Sequence, residues 1–169
     1  MLTELRIVNF ALLEELSLRF ELGFTVLTGE TGAGKSLLID AIALLVGGRA
    51  SADQIRFGAE EASLEAAFHL PDRHPLQARL RDQGILGPAD SELIVRRVIA
   101  RSGRNRVYLN GTMSSLHALE ELGGTLVDLH GQHDQQSLLA AAMQRSVSRA
   151  TTSSSFAGIT KIFTREFAA

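Results

Sequence analysis

Gly29-Glu30-Thr31-Gly32-Ala33-Gly34-Lys35-Ser36 is the stretch that decides how this 169-residue chain is read. It meets the pattern G-x-x-x-x-G-K-[ST] in full, and each residue type has a physical task. The glycines let the backbone turn tightly and press its N–H groups against phosphate oxygens. Gly32, Ala33, Gly34 and Lys35 would supply that nest, with the positive N-terminus of a following helix behind it. Lys35 reaches the β- and γ-phosphates as a point charge, and Ser36 sets a hydroxyl on the Mg²⁺ that bridges them. The expected ligand is therefore a nucleoside triphosphate, ATP with Mg²⁺, against the alternative of a glycine-rich turn that holds nothing.

The flanks suit the phosphate-binding alternative. Phe24 to Thr28 is a short apolar run without alternation, as in a strand covered on both faces. Ser36 to Val46 is apolar nearly all round, with Asp40 its one charge, so it reads as a buried helix. Gly47-Gly48 stops it. Upstream, residues 2–22 alternate as two short strands, through Leu5 and Ile7 and then Leu16, Leu18 and Phe20. Downstream, Leu64, Ala66 and Phe68 carry a period of two. Pro71 to Gln83 reads as a short polar helix with Pro75 near its start.

Glu92 to Ala100 and Arg104 to Leu109 form a hairpin about Arg101-Ser102-Gly103, and Asn110-Gly111 marks a second turn. Ser114 can cap a helix with Leu116, Leu119 and Leu122 on one face, closed by Gly123. Thr125 to Leu129 reads as another apolar strand, and a polar loop from His130 to Gln136 leads into an Ala/Leu-rich helix. Residues 1–144 form one unit. Residues 145–169, with Thr151-Thr152-Ser153-Ser154-Ser155, read as a poorly ordered tail or the truncated start of a longer element.

Composition narrows the field. Hydrophobic residues make up 45% of the chain, enough for a core. The formal net charge is −2, so nothing global draws the chain to DNA. There are no cysteines, which excludes disulfides and thiolate metal sites. The N-terminus has no signal-peptide pattern, and no apolar run reaches the ~18 residues that span a bilayer. The expectation is a cytoplasmic chain with no membrane partner.

Hydrolysis needs more than a phosphate cradle: a carboxylate to hold Mg²⁺ and a group to orient water. Asp128, in Leu126-Val127-Asp128, is the sole candidate for the acidic strand end, and Leu129 stands where a second acid belongs. A strand-end Asp bonding locally is the competing account. His130 and His133 lack a third ligand and do not make a zinc site. An Asn-Lys-x-Asp guanine-reading motif is absent. Arg96, Arg97, Arg101, Arg104 and Arg106 crowd one hairpin, either as phosphate contacts to DNA or as a solvated face. Arg96 and Arg97 point to opposite faces of a strand, which weakens a single patch.

Longer stretches extend the argument. Leu2-Thr3-Glu4-Leu5-Arg6-Ile7-Val8-Asn9-Phe10 resembles the opening strand of the SMC-like ATPases. Thr28 to Ile42, Gly48-Arg49-Ala50-Ser51 and Leu129-His130-Gly131-Gln132-His133-Asp134-Gln135-Gln136-Ser137-Leu138 are similar to the RecN family of DNA-repair ATPases within that group. The likeness covers about residues 1–140. It implies an α/β P-loop NTPase fold of the ABC/SMC type. This would be an incomplete head lobe, with a mixed sheet around the phosphate-loop helix plus antiparallel hairpins.

By resemblance, Gly29 to Ser36 bind ATP and Mg²⁺, with Lys35 catalytic and Ser36 a metal ligand. Arg49 falls where such heads carry an arginine loop near nucleotide and DNA; a cation at a helix C-terminus is the competing account. Gln132 matches the glutamine loop that reaches Mg²⁺ and attacking water, with His130 and Gln135 as rival registers. Asn9 and Phe10 fall near the adenine position. The implied partners are the C-terminal half of the same head, a second copy paired as ATP-sandwiched heads, and DNA held by the full protein at the nucleoid. The signature motif and Asp-Glu strand of that family are absent here, so hydrolysis by this chain alone is in doubt.

Overall fold

Alternating side chains on β-branched and aliphatic runs favour strands with one wet and one dry face, and this chain builds its main sheet that way. The computed structural model describes residues 1–23, 25–26, 34–130 and 160–163, and for 128–130 and 160–163 the backbone alone. Six strands form one sheet in the order β2-β1-β3-β4-β5-β6: β1 (Leu2–Phe10), β2 (Leu13–Arg19), β3 (Glu61–His69), β4 (Glu92–Ala100), β5 (Arg106–Leu109) and β6 (Thr112–Ser114). Every neighbouring pair in it is antiparallel. The parallel component is a separate pair, β7 (Val127–His130) with β8 (Thr160–Phe163), so residues 160–163 of the expected tail form a strand.

Register fixes which residues enter the core. One row across the sheet is Leu5, Ala66, Val95 and Leu109, all buried. The next is Ile7, Leu64, Arg97 and Val107, also buried, with one cation among three aliphatic residues. Leu2 and Phe10 are out of phase with Leu5 and Ile7, yet both are 1% exposed. A register shift between Leu2 and Glu4 turns the first inward. Asn9 sits next to Phe10 with φ of 53°, and this left-handed residue lets Phe10 turn into the core. Phe10 is therefore a core residue of the lobe. The Asn110-Gly111 turn between β5 and β6 has φ of 46° and 79°, the primed geometry that suits hairpins.

Helices cover the dry face. α1 (Gly34–Leu45) buries Leu38, Ala41, Ile42, Leu44 and Leu45 and packs on β3 and β4. α2 (Pro75–Asp82) starts with Pro75 in its first turn, and the His74 Nδ1 accepts a hydrogen bond from the Leu76 amide. α3 (Leu116–Leu126) packs against β5 and β7.

Three expectations are corrected. The cap of α3 is Ser115, whose Oγ accepts from the Ala118 amide, while Ser114 ends β6. Gly123 does not close α3, which continues to Leu126; the glycine serves a close approach to α1 instead. Of the strand expected from Phe24 to Thr28, Thr25 and Val26 are exposed and lie in no strand, while Phe24, Leu27 and Thr28 lie outside the described residues. A strand buried on both faces needs neighbours, and none of the described strands pairs with this segment.

Candidate functional site: the phosphate end of helix α1

Gly34, Lys35 and Ser36 form the first turn of α1, where backbone N–H groups have no partner within the helix. Gly34 and Ser36 are exposed and Lys35 is half-buried. No acidic side chain lies in this turn, so the positive helix end is uncompensated from within. A Cβ built on Gly34 would meet nothing within 4 Å among the described residues. This donor set, one ammonium, one hydroxyl and a helix N-terminus, fits a phosphate chain with its Mg²⁺. Gly29, Glu30, Thr31, Gly32 and Ala33 lie outside the described residues, as do Gln132, His133 and Gln135. The side chains of Asp128 and His130 do too.

The other end of α1 is built differently. Gly48 donates to the Ala43 carbonyl at 2.8 Å and Gly47 to the Leu44 carbonyl at 3.2 Å, a paired C-terminal closure with Gly47 at φ of 110°. Arg97 reaches this closure from β4. Its Nη1 donates to the Leu44 carbonyl and the Gly48 carbonyl, each at 2.6 Å. The residue is 2% exposed, and its Nε has no hydrogen-bond partner. Burial lowers the pKa of its guanidinium, and the Glu120 carboxylate opposes that shift. An arginine so placed keeps its charge, and the negative helix end favours it.

The structure thus brings Lys35 and Ser36 together and separates them from Arg49. Arg49 is exposed and follows Gly48, beyond the far end of α1. At 1.5 Å per residue the helix alone sets the two ends roughly 15 Å apart. Directly after Arg49, Ser51 caps a 3₁₀ turn (Ala52–Gln54) with reciprocal Ser51 and Gln54 bonds.

The arginine cluster dissolves as a single patch. Arg97 is internal, Arg106 pairs with Glu61, and Arg101 donates to the Ala59 carbonyl at 2.7 Å. Arg96 lies over the Tyr108 ring, 5.8 Å from its centroid. Sequence reasoning placed Arg97 on a surface hairpin. The signal that it belongs inside is its phase: it falls on the same face of β4 as the inward Leu93, Val95 and Ile99.

With the lobe described, its relatives can be placed. The AAA domain family matches residues 4–163, and the chain belongs to that family. Within it, the chain is similar to DNA repair protein RecN. It is 50% identical to the Bacillus subtilis protein over 139 residues, which is 82% of this chain and 24% of the relative. It is 43% identical to the Vibrio cholerae protein over 148 residues, 87% of this chain and 26% of the relative. The chain therefore spans about a quarter of the length of these relatives. Its fold is that of the Smc head domain from Pyrococcus furiosus, solved with an extended coiled coil and the C-terminal domain of ScpA. That likeness has a TM-score of 0.63 at 20% identity and covers 86% of this chain and 40% of the other. These matches agree with the P-loop, ABC/SMC-type head lobe expected from the motifs. Among the described residues no helix is long and apolar enough to cross a membrane.

Proposed function

We propose that this chain is the nucleotide-binding lobe of an SMC-like ATPase of DNA double-strand-break repair and recombination. The observation that carries the proposal is the first turn of α1. Gly34, Lys35 and Ser36 form that turn with no acidic side chain in it, and Gly34 and Ser36 are exposed, in a chain that contains the whole phosphate-loop sequence. Lys35 and Ser36 would hold the triphosphate and its Mg²⁺, with the 29–33 backbone as the nest. Bound Mg²⁺ supplies charge neutralisation on the β- and γ-oxygens. Gln132 is the proposed glutamine-loop residue toward Mg²⁺ and water.

Relatives named DNA repair protein RecN support the repair assignment. A structural neighbour comes from work on ATP-driven dimerization of SMC ATPases, which supports paired heads as the working state. In this proposal the C-terminal half of the same head supplies the signature motif and the hydrolytic acid. A second copy completes the ATP sandwich, and the full protein acts on DNA in the cytoplasm at the nucleoid. Arg49, at the far end of α1 from Lys35, is free to act elsewhere than on the phosphates of its own lobe. The chain alone is then a binding module, and turnover belongs to the assembled head.

Lys35→Ala tests this. A charged hydrogen bond is worth about 1.5–3 kcal/mol, so the variant should bind Mg-ATP about 10- to 100-fold more weakly by titration calorimetry. Equal affinity in wild type and variant would overturn the assignment. Single-turnover hydrolysis by the isolated chain would overturn the module reading and leave the binding site standing.

A further inference from the structure

A buried cation in an apolar row is costly unless its donors are used. In row Ile7–Leu64–Arg97–Val107 the cation is spent on two carbonyls at the exit of α1, those of Leu44 and Gly48. One is within the last turn of the helix, and the other lies just past the closure at Gly47. Arg97 therefore ties the helix to β4 from both sides of its stop. The same exit is pressed by α3. A Cβ on Gly47 would meet the Glu120 Cα at 2.8 Å, and a Cβ on Gly123 would meet the Val46 carbonyl carbon at 2.8 Å. The exit of α1 can thus neither slide along the sheet nor withdraw without breaking named contacts.

We propose that Arg97 is a positioning residue for the phosphate site. It fixes the axial place of α1 from its C-terminal end and thereby sets where Lys35 and Ser36 stand. The helix transmits this because its backbone hydrogen bonds make it a stiff rod over these three turns. The guanidinium suits the task better than an ammonium would, since its planar fork holds direction as well as charge. The step rests on the nucleotide reading of Lys35 and Ser36 for its functional consequence, but its mechanical part does not.

Two measurements on the 169-residue chain separate these. The first is backbone amide exchange without nucleotide. If the Arg97 tie holds α1 on β3 and β4 as one unit, its loss lets the whole helix open from the sheet more often, so Arg97→Met should speed exchange at the exit, Leu45 to Gly48, and also in the interior of α1, Leu38 to Ala41. Faster exchange confined to the exit would overturn the proposal. The second is affinity for a fluorescent Mg-ATP analogue at a temperature well below unfolding. Coupling through a packed element is worth about 0.5–2 kcal/mol, which is roughly a 2- to 30-fold loss of affinity in Arg97→Met. Arg97→Lys should fall between variant and wild type, and it carries both measurements if Arg97→Met does not fold. A lowered melting temperature with unchanged affinity in both variants would make Arg97 a residue of stability alone. If the wild type binds no nucleotide in a Lys35-dependent way, the nucleotide reading fails, and the exchange result still decides the mechanical claim.

Discussion

The two ends of α1 obey opposite rules. At its start Gly34 and Ser36 are exposed, and a Cβ added at Gly34 would meet nothing within 4 Å among the described residues. At its exit Gly47 is buried and Arg97 is 2% exposed, and side chains added at Gly47, Gly48 or Gly123 would each collide with backbone. One end is exposed and carries no acidic side chain, and the other has its carbonyls bonded by Gly47, Gly48 and Arg97. Under the proposed nucleotide role, α1 is anchored at the end away from its ligand. Packing the ligand end equally well would satisfy the N–H groups that binding needs free.

The sharpest way to break this contrast is at Gly123. Its Cβ would fall on the Val46 carbonyl oxygen and 2.8 Å from the carbonyl carbon, and neither is the flexible end of a side chain. Gly123→Ala must push α3 off the exit of α1. Overpacking of this kind costs up to about 3 kcal/mol. The melting temperature should drop by about 10 °C. A variant within 2 °C of wild type would show that the exit is not tightly packed.

Gly47→Ala comes next. The residue holds φ of 110°, which an L side chain rarely adopts, and its Cβ would meet the Glu120 Cγ at 2.7 Å. The Glu120 side chain can swing away, whereas the backbone strain remains. About 2 kcal/mol of destabilisation is expected from chemical unfolding. Gly47→Ala/Glu120→Ala should recover only the part due to the side-chain collision. Full recovery would place the whole cost in packing and none in the dihedral angle.

How much of this was legible in the sequence follows the same division. The start of α1 at Gly34, Lys35 and Ser36 was written in a local motif, since the pattern requires a helix to open directly after its second glycine. The hairpins were legible for a similar reason, since Asn110-Gly111 and the 101–103 turn act through near neighbours. The anchored end was not. Arg97 meets Leu44 and Gly48 only through the pairing of β4 with β3, across about fifty residues of chain. Gly123 looked like a helix stop because that is the commonest local use of glycine there. Its actual constraint is a contact with Val46, which no local pattern records. The inward turn of Phe10 likewise depends on the left-handed Asn9, against the simple alternation of β1.

The smallest expected effect on stability is at the open end, and it sharpens the contrast most. Lys35 is half-buried in the first turn of α1, and alanine is a slightly better helix former than lysine. Removing the ammonium also removes a cation from the positive end of the helix, where it is mildly unfavourable. Both effects are a few tenths of a kcal/mol, so Lys35→Ala should unfold within about 0.5 kcal/mol of wild type, with stabilisation the favoured sign. The same variant is the one expected to lose nucleotide affinity. Under the proposed function, a lysine that slightly disfavours the folded chain is explained by the triphosphate it would hold. Measured without nucleotide, a loss of more than about 1 kcal/mol would mean that Lys35 packs in the fold, and the two ends of α1 would no longer divide binding from stability.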